Sequence, residues 1–271
     1  MIAETDTLSL APGVALEDGR LADAIRGASW PLNGSGAFIL CRTGRPVGQI
    51  VRELTDTFAL PLETARDDVL RFAWHLNTLA LVNVEREGSV PRRLADWILL
   101  ATRLAPAGAV PVGLARRRAL DTRSVLRAIT SGLTATLSRV VAIAAVSTIL
   151  ALQLSAVSGA PTLVVPLVLG IATGVGLGLH EAAHVVALRG VPSALVTRGR
   201  RTFVLHAAVS PSRRSLVALA GPLAVSTLGV ALVLAGAALG TPGVTIAGCP
   251  LAAHALALTI VAGDGRIACG L

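Results

Sequence analysis

The sequence predicts a multi-pass α-helical membrane protein of about four spans, preceded by a small N-terminal α+β domain of winged-helix type. Three observations lead there. The 271 residues are 53% hydrophobic and 15% charged, with mean hydropathy +0.71, which is too apolar for a soluble chain of this size. Two long stretches, 140–180 and 215–263, contain no Arg, Lys, Asp or Glu. The charge is also segregated. Residues 1–89 hold 8 Arg against 12 acids, residues 90–139 hold 9 Arg against 2, and residues 140–271 hold 7 Arg against 2. An acidic head, a basic middle and an apolar tail argue against a nucleic-acid binder. They suit a domain over 1–89, a basic juxtamembrane linker over 90–139, and a membrane domain over 140–271.

Within the head, residues 7–30 alternate in short stretches broken by APG (12–14) and EDGR (17–20), the pattern of a hairpin or meander. PLNGSGAFILCRTG (31–44) predicts a short helix capped by Asn33 or Ser35 and stopped by Gly44. RPVGQIVRELTDTFAL (45–60) places Val47, Ile50, Val51, Leu54 and Phe58 at helical spacing. A third helix is expected over 61–85, with Pro61 at its start and a stripe of Val69, Phe72, Ala73, Leu76 and Leu79. His75 on that helix reads as a surface or half-buried residue and not as a ligand. Cys41, Cys249 and Cys269 have no metal-ligand spacing and read as buried structural thiols.

In the linker, RRLADWILLATRL (92–104) suits an interfacial helix with Trp97 at headgroup level. Arg116, Arg117, Arg118, Arg123 and Arg127 form a basic cluster expected to face anionic lipid. Four spans then follow, at 140–157, 162–188, about 216–239 and about 244–262, with GTPG (240–243) between the last two. TFVLHAAV (202–209), in the loop between the second and third spans, suits a strand whose edge aligns a substrate. No signal peptide opens the chain, so the head is expected in the cytoplasm. The positive-inside rule then puts every Arg on the cytoplasmic side of a bacterial membrane, the Ala-, Val-, Gly- and Arg-rich composition suggesting a bacterial gene.

The second span carries HEAAH, His180-Glu181-Ala182-Ala183-His184, with Gly170, Gly174 and Gly178 four apart just before it. Residues i and i+4 share a helix face, so both imidazoles can meet one zinc ion while Glu181 takes a proton from its water. With 5 His and 7 Glu in the chain, composition alone gives about 0.002 such motifs. Two helix-face histidines satisfied by backbone are the alternative, but an acid between them in a bilayer is costly unless used. A catalytic zinc needs a third ligand, and Asp264, His254 and His206 are the candidates. Asp264 is favoured because GDGR (263–266) lies at a depth comparable to HEAAH, although it could instead pair with Arg266. On a continuous helix His254 would sit about 15 Å from Asp264, so the two could not share an ion.

Residues 7–85, above all LNGSGAFILCRTGRPVGQIVRELTDTF (32–58), resemble the PqqD-like family of precursor-recognition elements in the biosynthesis of ribosomally made, post-translationally modified peptides. Members bind a precursor's leader as a strand added beside a small sheet, against the third helix, so the resemblance implies a peptide partner for 1–89. Residues 138–271 resemble the site-2-protease family of intramembrane zinc metalloproteases. HEAAH carries over His180 and His184 as ligands and Glu181 as base. ALAGPLA (218–224) is similar to that family's AGP signature, and Asp264-Gly265 corresponds to its LDG ligand motif. The chain departs from the family upstream of that motif, where LALTIVAGDG replaces the usual Asn and prolines.

Together the resemblances imply a membrane zinc endopeptidase that removes a precursor's leader, similar to the proteases of daptide-type clusters. Modifying enzymes or an exporter of the same pathway would be further partners. A non-catalytic membrane scaffold for the precursor and a regulated intramembrane protease of a membrane-anchored regulator are the other readings.

Overall fold

The computed structural model describes residues 2–86, 114–158, 164–198 and 201–258. The chain divides into two compact units, Met1–Ala119 with Ala194–Ala207, and Leu120–Ser193 with Ala208–Leu271.

The first unit opens with β1 (Thr7–Leu10) and an antiparallel meander of β2 (Val14–Glu17), β3 (Arg20–Asp23) and β4 (Ala28–Pro31). Asp18 and Gly19 join β2 to β3, both with positive φ, as a two-residue hairpin turn requires. Helix α1 (Gly34–Leu40) is capped by Asn33, whose side chain accepts from the Gly36 N–H at 2.8 Å. Helix α2 (Val47–Phe58) buries Val47, Ile50, Val51 and Leu54, and α3 (Leu62–Thr78), entered from Pro61, buries Ala65, Val69, Ala73 and Leu76. These faces close one core with Leu8, Leu21 and Leu40, and at roughly 1.5–3 kcal/mol per large apolar side chain they dominate the stability of the unit.

The third helix stops earlier than its sequence suggests. Ala80 turns left-handed (φ 54°), the Leu81 N–H returns to the Leu76 carbonyl at 2.9 Å, and Val82–Glu85 becomes β5. β5 pairs antiparallel with β1, from Thr7↔Glu85 to Leu10↔Val82. The β-branched alternation of VNVE and complete burial of Val82 outweigh continuation of the helix.

A second sheet of the same unit has the order β6-β7-β8, from Ala115–Ala119, Ser193–Arg198 and Arg201–His206. TFVLH thus forms a strand as expected, at the sheet's edge. Two asparagines grip β6. The Asn77 amide donates to the Ala115 carbonyl and accepts its N–H, both at 2.8 Å. Asn83 does the same for Arg117, at 2.9 and 2.8 Å. Alternate residues of the strand are therefore held by side chains acting as a neighbouring strand would.

Arg117 departs from the expected lipid-facing cluster. Its side chain is 0% exposed and bonds in bidentate fashion to Asp23, at 2.7 and 2.8 Å. Strand alternation turns Arg117 inward between Arg116 and Arg118. Asp23 also accepts from the Ile25 and Arg26 N–H groups and from the Arg26 guanidinium. Burial pushes the Asp23 carboxyl up, but the Arg117 bonds, the Arg26 backbone bond and both guanidinium charges outweigh it and hold the carboxyl below its ordinary value. Arg123 and Arg127, of the same expected cluster, pair with Asp121, whose carboxyl the Arg123 hydrogen bonds hold at about 2.

The second unit comprises α4 (Val125–Ser158), α5 (Val164–Ala187), α6 (Pro211–Ala238), α7 (Pro242–Ala252) and a 3₁₀ turn (Ala253–Leu258). Among the described residues two helices, α5 and α6, are long and apolar enough to cross a membrane, against the four spans expected. The first expected span lies in the 34-residue α4, which packs along α5. The fourth is a correction. Instead of one helix over 244–262, the chain forms the 11-residue α7, containing Pro250, and then tightens into 3₁₀ geometry. Large apolar side chains face outward on all three long helices, among them Ile149, Ile171 and Leu234. Cys41 and Cys249 are exposed, not buried as expected. The expected interfacial helix 92–104, Cys269 and Asp264 lie outside the described residues.

Removing one partner of the buried pair strands the other, so Arg117→Ala is expected to cost the first unit about 3–5 kcal/mol in chemical unfolding of the whole chain followed by tryptophan fluorescence. The paired change Asp23→Leu with Arg117→Met should cost clearly less. The folded pKa of Asp23 lies below its ordinary value of 3.8, so its stabilisation is complete above that pH and lost as pH falls through the folded value. Hydrogen exchange of β3 should rise below about pH 4.

Candidate functional site

HEAAH lies in the last two turns of α5, where the helical spacing places both imidazoles on one buried face. The rings meet edge to face with centroids 4.7 Å apart, and the Nε2 atoms are 3.0 Å apart. Nδ1 of His184 donates to the Val217 carbonyl on α6 at 2.6 Å. That bond fixes the tautomer, leaving the His184 Nε2 lone pair directed at His180. Two Nε2 atoms at this separation share either a proton or a cation.

Two features of α6 allow the arrangement. Gly221 faces the rings so closely that a Cβ there would lie 2.5 Å from His184 Nε2 and 2.9 Å from His180 Cδ2. Pro222 cannot donate to the Ala218 carbonyl, which opens the backbone ladder one residue from the carbonyl that His184 uses. The AGP of the sequence is thus the wall of the histidine site.

Glu181, half-buried, follows His180 on the same helix. His254, in the 3₁₀ turn, brings its ring centroid to 5.5 Å from that of His180. His206 belongs to the first unit, its Nδ1 donating to the Ala207 carbonyl at 2.7 Å. Among the described residues no group of three His, Cys, Asp or Glu side chains is set as a complete metal site. The donor chemistry of the pair nevertheless fits zinc. Two imidazole nitrogens on one tetrahedral ion lie about 3.3 Å apart, within a few tenths of an ångström of the separation found. His180 and His184 would hold the ion, with a third donor to be supplied.

Beside the HEAAH helix an apolar cavity of about 510 Å³ opens among α4, α5 and α6. Ile129, Leu179, Ala183, Leu216 and Ala220 line it, with no charged side chain.

In the first unit, β4 is an outer strand of the meander, with Ser29 and Pro31 exposed. Trp74, on α3, is 43% exposed, a large aromatic surface without a core role. His75 beside it is exposed, as its sequence position suggests. The Val217 carbonyl and the Asn77 and Asn83 clamps were not readable in advance, because each joins residues more than 30 positions apart.

Residues 14–82, from β2 into the first residue of β5, match the family model described as Coenzyme PQQ synthesis protein D (PqqD). This stretch is a PqqD-like domain, somewhat shorter than the 7–85 of the sequence resemblance. No curated protein and no solved structure gives a match to the chain.

Replacing Gly221 with Ala should force α6 away from the paired rings. The expected result is a loss of about 1–3 kcal/mol in thermal unfolding of the full-length protein. Histidine NMR should show loss of the bonded Nδ1 proton of His184.

Proposed function

We propose that the protein is a membrane-embedded zinc endopeptidase that recognises the leader of a ribosomally made peptide precursor and cuts the precursor near the end of that leader. The observation that carries this reading is the convergence of His180 and His184, one locked by the Val217 carbonyl, in a chain that also holds a PqqD-like domain. The outward apolar faces of the long helices support a bilayer around the second unit, and the positive-inside rule favours the cytoplasmic side for its Arg-bearing loops.

The PqqD-like domain binds the leader as a strand added at an open sheet edge, with backbone hydrogen bonds giving affinity and side-chain pockets giving choice. β4 offers such an edge. Tethering the leader raises the local concentration of the scissile bond, to the order of millimolar for a short span. His180 and His184 hold zinc, and a third donor completes the set, for which Asp264 of GDGR is the sequence's candidate. When bound, zinc polarises the scissile carbonyl and makes its water more acidic. Glu181 takes a proton from the attacking water and returns it to the leaving amine. The cavity beside HEAAH, walled by apolar side chains, suits a hydrophobic core peptide.

A second reading, a non-catalytic membrane recruiter of precursor for modifying enzymes or an exporter, has one observation in its favour: the family match falls on the recognition domain.

Co-expression with a candidate precursor separates the two. Mass spectrometry should find the leader removed by the wild type and retained with Glu181→Ala, while both proteins still hold zinc. Equal leader removal by both would sink the peptidase reading. Trp74→Ala should weaken leader binding to the full chain about tenfold by fluorescence anisotropy, a change of about 1.4 kcal/mol.

A further inference from the structure

The apolar cavity of the second unit is elongated. Its wall on α6 repeats every four residues, at Leu216, Ala220, Ala224 and Leu228, and on α5 it runs from Ala187 back to Leu179. At 1.5 Å per residue these stripes are about 18 and 12 Å long. One leaflet of a bilayer has a hydrocarbon depth of about 15 Å, half of the full core. The cavity is therefore a groove of leaflet length along the helices, and the exposed Leu216 and Leu228 mark its outer rim.

The two ends of the groove differ in charge. α4 begins, α5 ends and α6 begins at one end, where Val125, Ala187 and Leu216 all reach the cavity. Arg123, Arg127, Arg189, Arg213 and Arg214 belong to that end, against one carboxylate, Asp121, which pairs with Arg123 and Arg127. Arg213 precedes Leu216 by three residues and Ala220 by seven, so it lies on the stripe of α6 that walls the groove. Its Nη2 donates to the Arg189 carbonyl at 2.6 Å and lies 3.5 Å from that of Ala187, which pins it across the mouth. Among the described residues its Nε and Nη1 have no partner, and neither do the exposed side chains of Arg189 and Arg214.

An apolar wall suits a core peptide as well as an acyl chain, and two observations favour the acyl chain. An extended peptide would turn backbone N–H and C=O groups toward side chains that offer no hydrogen bond, a cost that hydrocarbon does not carry. Ala183 of the wall also lies two residues from Glu181, about 160° around the helix axis, so the groove follows the side of α5 away from that acid.

We propose that this groove binds one anionic phospholipid, with an acyl chain laid along α5 and α6 and the phosphate at Arg213. Nε and Nη1 of Arg213 donate charge-assisted hydrogen bonds to it. Arg189 and Arg214 add attraction for a headgroup of net negative charge. The site rests on the bilayer placement of the second unit and is independent of zinc and of peptidase activity.

The test uses the full-length protein reconstituted into vesicles of equal parts phosphatidylglycerol and phosphatidylcholine. By native mass spectrometry the extracted wild type should retain one phosphatidylglycerol per chain, and phosphatidylcholine about tenfold less often. Arg213→Gln should lower that preference about fivefold, the effect of one Arg near anionic lipid, and Arg213→Lys should keep most of it. Ala220→Trp, which fills the groove, should retain neither lipid. A second readout holds if that variant fails to fold. The indole of Leu228→Trp should be quenched more by phosphatidylglycerol with brominated acyl chains than by phosphatidylcholine so brominated. Leu223→Trp, exposed on α6 outside the groove, should be quenched equally by both. Equal retention of the two lipids, or equal quenching of Leu228→Trp, would overturn the proposal and leave the bilayer placement standing. Expulsion of the retained lipid by a synthetic Leu-Ala peptide would also overturn it and give the groove to a peptide. A protein that does not float with the vesicles would instead defeat the bilayer placement, and this site with it.

Discussion

One backbone carbonyl organises the second unit. Val217 accepts from His184 Nδ1, and that bond determines which nitrogen of His184 carries a lone pair and where it points. The bond exists because Gly221 lets α6 lie against the two rings and because Pro222 loosens the helix beside the accepting residue. With that tautomer set, His184 Nε2 is the acceptor in the 3.0 Å hydrogen bond from His180 Nε2, so the two rings are held together by a single shared proton.

The first unit is governed by a different economy of charge. A guanidinium and a carboxylate are fully withdrawn from solvent, which is tolerable because Asp23 gathers donors from Arg117, Arg26 and two backbone N–H groups. Such a pair adds little net stability over well-packed hydrocarbon, but it tolerates little misregistration. Loss of either partner alone would leave the other charge buried and uncompensated.

Local features were legible in the sequence. Asn33 caps, Pro61 opens α3, and the stripes of α2 and α3 are buried, because each depends on residues within a turn or two. The HEAAH pairing was equally legible, since helical geometry alone sets i against i+4. What depended on distant partners was not. VNVE read as the end of a helix until β1 claimed it as a strand. ARRRA read as part of a basic cluster facing anionic lipid, and only Asp23, 94 residues away, makes its middle Arg a core residue. The fourth span read as one unbroken helix, which the 3₁₀ turn after Ala252 interrupts.

The discontinuity of the first unit bears on how the protein is made. Residues 194–207 complete the sheet that begins with β6, yet they are synthesised after α4 and α5. The head of the chain leaves the ribosome first but cannot reach its finished form until two long apolar helices have followed it. Its assembly therefore has to wait for hydrophobic segments that need a home of their own, and a shortened gene ending before residue 194 would yield a front half lacking two of its strands.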